Sequence, residues 1–319
     1  IEKENFCCRK TMEVFCFQRF PNFSFLLMNL LKGAFKNLKT VPQLLLLLSL
    51  SCLLFYMGLG IWMMLTQGNT SDIQSIRLLQ LIQSIGIFLI PPFLFGYLCS
   101  DSKPTEYLAL HQKPDSVEVL YVILIMLTAI PLINLLSYLN QQIVLPEALA
   151  PLEEWMKQSE EEAATLTQQL LEANSIGGLL FNLLLIALIP AFGEELFFRG
   201  TLQNILSRWK GAHAAIWITG FLFSAFHLQF YGFFPRWLLG VFFGYALVWS
   251  GSLWLPVIAH FTNNAVAVIF YYFSKPTGEK MNIDNIGIGS TWWLGIISAI
   301  LTIYLIYRLK SNFPKRIQP

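Results

Sequence analysis

The chain has 319 residues, of which 55% are hydrophobic and only 13% are charged. A soluble domain carries about 25% charged residues, and a chain of this length would still need a polar surface around its core. Lipid can replace that surface, so the composition excludes an ordinary soluble protein and implies the lipid bilayer as a partner. The net charge is only +2, and no basic run is interleaved with aromatic residues, so we expect no nucleic-acid partner.

Taken in chain order, the sequence divides into five predicted segments that differ in hydropathy and charge. The first is a leader and cytoplasmic segment, in which Met12 and Met28 are both possible start residues. N-terminal transmembrane helices follow, then an acidic external loop with an amphipathic helix, then a transmembrane core. A last transmembrane helix with a basic cytoplasmic tail completes the chain. The boundaries of the five segments are 1–40, 41–140, 141–174, 175–275 and 276–319.

Hydrophobic stretches of the length needed to cross a bilayer recur along the chain. A spanning helix takes about 20 mostly apolar residues, and no strand-like alternation suggests a closed barrel. The sequence therefore predicts an all-α, polytopic membrane helical bundle with about eight transmembrane helices, of which the sixth is the shortest and least secure. The eight stretches lie at about 42–66, 78–100, 117–139, 175–199, 213–230, 237–250, 253–273 and 290–308.

The distribution of basic residues predicts the orientation of this bundle. With the N-terminus in the cytoplasm and eight spans, 16 of the 21 Lys and Arg residues fall on the cytoplasmic side. We therefore expect both termini to be cytoplasmic, in a multi-pass protein of the bacterial inner membrane. The acidic loop then lies outside, where Leu166, Leu170 and Leu171 at helical spacing indicate an amphipathic helix on the membrane surface.

Three short polar segments interrupt the apolar spans of the last third. Ionisable groups inside spans are costly and therefore mark functional candidates. Glu195 and Arg199 are four residues apart, which suits an ion pair within one helix. Glu194 lies about 100° around that helix, so its carboxylate remains available to other helices. The segments are Gly193–Gly200, Phe223–His227 and His260–Asn264.

Helix geometry predicts that these segments meet. Glu194 precedes a turn near Gly211 by 17 residues and His227 follows that turn by 16, so an antiparallel hairpin places the two side chains at one level. His260 and Asn264 share a helix face, since they are four residues apart. We expect His260 to lie about 10 Å deep, in a pocket that opens toward the cytoplasm.

The residue types suit hydrolysis of a peptide bond. A carboxylate beside a histidine, here Glu194 with His227, can orient and deprotonate water. His260 and Asn264 can donate hydrogen bonds to the developing oxyanion. Two histidines and a glutamate also form an acceptable zinc set, so a divalent metal held by Glu194, His227 and His260 is the alternative to a site that requires no cofactor.

The three segments resemble the CPBP family of intramembrane peptidases, which includes the CAAX-box prenyl-protein endoproteases. The family pattern is Glu-Glu-x-x-x-Arg, then Phe-x-x-x-His, then His-x-x-x-Asn or Asp. The resemblance implies a catalytic core over 175–275 and hydrophobic or membrane-anchored peptide substrates. It implies that Glu194 with His227 activates water, and that His260 with Asn264 forms the oxyanion site. The matching residues are Glu194, Glu195, Arg199, Phe223, His227, His260 and Asn264.

Three other interpretations are open at this point. The pair of Glu195 and Arg199 can be structural, closing a helix end without taking part in chemistry. The whole chain can be a non-catalytic membrane immunity or scaffold protein with the same fold. A transporter with Glu194 as a proton site is a third interpretation, although transporters commonly show internal repeats and this sequence shows none.

Overall fold

The computed structural model describes residues 31–274 and 285–313. The predicted leader with its two possible start residues, most of the loop after the seventh span and the end of the basic tail lie outside these ranges. The described residues are 83% helical and contain no strand. Seven of the helices within them are long and apolar enough to cross a membrane. The prediction of an all-α, multi-pass membrane bundle is therefore confirmed.

Ten α-helical elements of four or more residues follow one another in the described ranges. Two of them, α2 and α6, contain wider π-helical turns, at Ser84–Leu89 in α2 and at Leu183–Leu188 and Leu196–Gln203 in α6. The helices are α1 (Thr40–Thr66), α2 (Ile73–Cys99), α3 (Pro104–Tyr107), α4 (Ser116–Gln141), α5 (Ala150–Leu171), α6 (Ile176–Lys210), α7 (Ala212–Phe226), α8 (Phe233–Ser250), α9 (Trp254–Ser274) and α10 (Trp292–Ser311).

Each of the eight predicted spans corresponds to one of these helices, but the expectation that the sixth is the short one was wrong. The sixth span, α8, belongs to an apolar helical stretch of 21 residues, Phe230–Ser250. The fifth, α7, has only 15 residues, because its helix ends at Phe226. Leu228 just beyond it has a positive φ of 54°, a left-handed conformation that a leucine rarely adopts and that cannot continue a helix.

The acidic segment contains the 22-residue helix α5, and of the three leucines on which its prediction rested, only Leu170 is buried while Leu166 is exposed. Lys157 and Glu153 form an ion pair of 2.9 Å within this helix. The hydrogen bond from Lys157 lowers the pKa of Glu153. At the C-terminal end of the helix, Arg77 of α2 donates to the carbonyl oxygens of Leu170 and Glu172. Helix α5 is therefore attached to the end of the bundle at which α2 and α6 begin and α4 ends.

Glycines allow α6, α7 and α8 to approach closely. Gly211, with a φ of +82°, forms the predicted turn between α6 and α7. A Cβ atom added at Gly240 of α8 would lie 2.9 Å from the Cα of Gly220 in α7 and 3.1 Å from Nη2 of Arg199 in α6. Both distances are below van der Waals contact, so this three-helix junction requires a glycine at position 240.

We predict that Gly240→Ala destabilises the protein by about 1–3 kcal/mol, the usual cost of overpacking a filled core. Gly60→Ala is the matched control, because no atom lies within 4 Å of a Cβ built there. Thermal unfolding of both variants in detergent measures the difference. Equal transition midpoints for the two variants would contradict the close packing of α7 on α8.

Candidate active site

A buried ion pair lies at the junction of α6 and α8. Nη1 of Arg199 donates to Oε1 of Glu195 over 2.8 Å, and both side chains are completely buried. Nη2 of Arg199 donates to the carbonyl oxygen of Gly240 over 3.0 Å. The expected i, i+4 pair is thus confirmed, and it also links α6 to α8. The π-helical turn that contains Arg199 changes the direction of side chains locally, as such turns commonly do at functional sites.

His260 of α9 extends this ion pair to a third helix. Its Nδ1 atom lies 2.9 Å from Oε1 of Glu195. Its ring stacks on Phe243, with 5.2 Å between ring centroids. Phe223 contacts the edge of the same imidazole and holds the Arg199 guanidinium 4.4 Å from its own ring centroid. Aromatic faces attract cations, so the two phenylalanines fix the positions of the histidine and the arginine.

Glu194 points away from this ion pair, as the helix geometry predicted. Its Oε2 atom lies 3.9 Å from Nε2 of His227 and 4.0 Å from Nε2 of His260. The same oxygen is buried and has no hydrogen-bond partner within the described residues. Buried polar atoms are nearly always satisfied, and three groups at this separation can share one water at about 2.8 Å from each. Glu194, His227 and His260 therefore enclose a position for a small polar ligand.

Hydrogen bonds on the far side of each imidazole determine which ring nitrogen carries a proton. Nδ1 of His227 lies 2.8 Å from the carbonyl oxygen of Phe223. Because that oxygen can only accept, Nδ1 of His227 must be the donor and a neutral ring presents an unprotonated Nε2 to Glu194. The same argument applies to His260, whose Nδ1 faces the Glu195 carboxylate. His260 can donate from Nε2 only as an imidazolium ion.

These donors suit zinc chemically but are spaced too widely for a tetrahedral site. Two Nε2 atoms and a carboxylate, with Glu195 behind His260, form a common zinc-binding set. Ligands about 2.0–2.1 Å from a tetrahedral zinc are about 3.4 Å apart, whereas the separations here are 3.9 and 4.0 Å. Among the residues that the structure describes, no cluster of three His, Cys, Asp or Glu side chains has metal-binding geometry.

Two cavities meet at these residues, and both are lined by His227, His260 and Asn264. The first cavity, of about 180 Å³, also contains Arg236 of α8. The second, of about 280 Å³, contains Glu194. A water takes about 30 Å³ in the liquid, so each cavity holds more than a single water. Asn264, predicted as an oxyanion donor, thus faces the same space as the two histidines.

The second cavity is also lined by residues of α2, which lie outside the three predicted polar segments. Gln80, Gln83 and Ser84 line it beside Glu194. Helix α2 comes this close because Gly193 leaves room for it: a Cβ atom there would lie 3.1 Å from Cβ of Phe88. Polar residues within an apolar span are a signal that could have identified this face of α2.

The predicted opening of the pocket toward the cytoplasm depends on the orientation of the chain, and the cavities show only toward which end of the bundle the pocket extends. From the site, the cavity linings extend to Gln80 on α2, Ile186 on α6 and Ser137 on α4. These residues lie toward the end of the bundle that carries α5, away from the Gly211 turn. Under the predicted orientation this end is external.

Comparison with known proteins locates the same part of the chain. Residues 176–266 match the family model described as type II CAAX prenyl endopeptidase Rce1-like. The resemblance to CAAX-type membrane peptidases is confirmed over this segment. The chain is also similar to the uncharacterized protein YpbD of Bacillus subtilis strain 168, with 28% identity over 106 residues. That alignment covers 31% of the chain and 50% of YpbD, so the chain spans about half the length of this relative. No solved structure matches the chain significantly.

We predict that the two adjacent glutamates differ in their effect on stability. Glu195→Gln removes the charge that compensates buried Arg199, and breaking a buried ion pair costs about 3–5 kcal/mol. Glu194→Gln is the matched control, because Oε2 of Glu194 has no hydrogen bond to lose. Thermal unfolding in detergent compares the two variants. A larger loss of stability for Glu194→Gln would contradict the structural assignment of Glu195.

We also predict the side from which the site is reached. In a background without native cysteines, Ser137→Cys should react with a membrane-impermeant maleimide from the same side as Lys157→Cys on α5. Lys210→Cys, at the end of α6, should react from the opposite side. Labelling of intact cells and of inverted vesicles measures both. Reaction of the variants at positions 137 and 210 from one common side would contradict the direction of the cavities.

Proposed function

We propose that this chain is an intramembrane endopeptidase that hydrolyses hydrophobic or membrane-anchored peptides by activating a water at Glu194. The observation that carries the proposal is the buried, unpartnered Oε2 atom of Glu194, which lies between Nε2 of His227 and Nε2 of His260. The similarity of 176–266 to a prenyl endopeptidase family supports the same class of reaction.

In this proposal the enclosed water is the nucleophile. It donates hydrogen bonds to Oε2 of Glu194 and to the unprotonated Nε2 of His227, so that its oxygen lone pair points into the cavity. Glu194 accepts a proton as the water oxygen attacks the carbonyl carbon of the peptide. When the tetrahedral intermediate breaks down, the Glu194 carboxylic acid returns that proton to the leaving amine nitrogen. One group thus acts first as base and then as acid.

His260 and Asn264 are proposed to stabilise the negative oxygen of that intermediate. Asn264 can donate from its amide, and His260 can donate from Nε2 as an imidazolium ion. His260 must be in that form when the oxyanion develops. The other imidazolium proton, on Nδ1, is accepted by Oε1 of Glu195 at 2.9 Å. Glu195 and Arg199 thus act by positioning His260.

The non-catalytic interpretation, a membrane immunity or scaffold protein, accounts for less of the structure. A scaffold could retain the ion pair of Glu195 and Arg199, because that pair links α6 to α8. It has no need of a second glutamate whose buried Oε2 atom lacks a hydrogen bond, which costs stability. A cost of this kind at a polar cavity is typical of active sites.

We predict that Glu194→Gln lowers the cleavage rate by about 100- to 10,000-fold, the usual contribution of a general base. Asn264→Ala should lower kcat by about 100- to 1,000-fold, since it removes an oxyanion donor. The measurement is cleavage of fluorogenic membrane peptides by the purified full chain in detergent. Gln112→Ala is a control of similar chemistry, because Gln112 is exposed and its side chain bonds only to His111.

The same assay with a chelator tests the zinc alternative. Activity that survives chelation supports water activation by Glu194 alone. Activity that is lost on chelation and restored by zinc would instead assign Glu194, His227 and His260 as metal ligands. Equal cleavage by the wild type and Glu194→Gln would contradict the peptidase proposal and favour the scaffold.

A further inference from the structure

Arg236 is a cation in the wall of the first cavity. No step of the mechanism proposed above involves it. It lies in the first turn of α8, and the cavity that it lines continues to His227, His260 and Asn264. Its hydrogen bonds go to a neutral residue: Nη1 donates to the carbonyl oxygen of Gln229 over 3.1 Å and Nη2 to Oε1 of Gln229 over 2.9 Å.

Arg236 differs from Arg199 in having no carboxylate as an ion-pair partner among the described residues. Arg199 has the carboxylate of Glu195 at 2.8 Å, whereas Arg236 forms no ion pair with any carboxylate in the part of the chain that the structure describes. Glu160 and Glu194 act on Arg236 electrostatically, but neither is within ion-pair distance. Cations held in a half-buried, low-dielectric setting are normally paired. The cavity therefore presents a positive charge that is not fully compensated.

The surroundings of Arg236 add to its attraction for an anion. The N-terminus of an α-helix carries a partial positive charge, and Arg236 lies in the first turn of the 18-residue helix α8. Asn263 and Asn264 offer amide donors in the same cavity, and Ile133 and Leu239 provide apolar walls. A guanidinium with amide donors nearby suits a carboxylate, which it can bind through two parallel hydrogen bonds.

We propose that Arg236 is a specificity residue that binds a carboxylate of the peptide substrate and thereby positions the scissile bond. This inference rests on the proposed peptidase function. The ligand must extend from Arg236 to the reacting groups, because the same cavity is lined by His227, His260 and Asn264. The carboxylate has two possible sources in a peptide, the free C-terminus and an acidic side chain.

The test compares four peptides that share a cleavable hydrophobic segment. Two differ only in a free or amidated C-terminus, and two differ only in an internal aspartate or asparagine. We expect the wild-type protein to prefer one carboxylate peptide over its neutral counterpart by about 10- to 100-fold in kcat/KM, as a charge-assisted hydrogen bond allows. The pair that shows the preference identifies the source of the carboxylate.

In Arg236→Gln the ratio of kcat/KM between the carboxylate peptide and its neutral counterpart should fall to about 1. We expect this to result chiefly from a rise in KM for the carboxylate peptide. Arg77→Gln is the matched control: Arg77 also donates to backbone carbonyl oxygens, those of Leu170 and Glu172, but lies outside both cavities. It should keep the full preference. Arg236→Lys retains the charge without the planar fork and should keep a reduced preference.

A purely structural role for Arg236 in holding the loop at Gln229 would lower cleavage of all four peptides alike and leave their ratios unchanged. That result overturns the proposal, as does a wild-type protein that cleaves both members of each pair equally. If Arg236→Gln does not fold, the ratios measured for Arg236→Lys decide the matter. Cleavage without preference leaves the peptidase function standing, whereas no cleavage of any peptide overturns both proposals.

Discussion

The hydrogen bonds that converge on Oε1 of Glu195 are the interaction on which the rest of the site depends. Arg199 and His260 both lie within 2.9 Å of this oxygen, and Arg199 continues to the carbonyl oxygen of Gly240. Three helices, α6, α8 and α9, are thus joined through one buried carboxylate. Such an ion pair gives little net stability when it replaces apolar packing. Here the ion pair contributes by fixing positions, because it holds the imidazole of His260 and the guanidinium of Arg199 in place.

Close helix packing makes this arrangement possible. Gly240 allows α7, α8 and the guanidinium of Arg199 to meet, and Gly193 allows α2 to approach the glutamate motif. Small residues at helix crossings are the usual way to bring backbones together within a membrane, where apolar burial gives no driving force between helices. Phe223 and Phe243, both almost fully buried, pack around the imidazole of His260. The ion pair is therefore closely packed where α6, α7 and α8 meet, whereas the two cavities lie beside His227 and His260.

Much of this could be predicted from the sequence, because helix formation and i, i+4 pairing are local. The spans, the turn at Gly211, the pair of Glu195 with Arg199 and the approach of Glu194 to His227 all follow from spacing along one or two helices. The bond from His260 to Glu195 could not be predicted, since it depends on how α9 rotates against α6. Arg236 and Gln83 lie outside the motifs and reach the cavities only through packing. The end of the bundle toward which the cavities extend could not be predicted, because motif spacing fixes depth relative to one turn and not to both membrane faces.

The two cavities differ in a way that bears on how a peptide bond can be hydrolysed within a membrane. The cavity beside Glu194 is lined by Gln80, Gln83 and Ser84, whose polar side chains can hold water along a path through the apolar bundle. The other cavity combines apolar walls with Arg236, which suits a hydrophobic segment that ends in or contains a charge. His227, His260 and Asn264 line both. If, as proposed, the peptide occupies the first cavity, beside Arg236, water can still reach Glu194 through the second cavity, so substrate binding does not block the supply of the nucleophile.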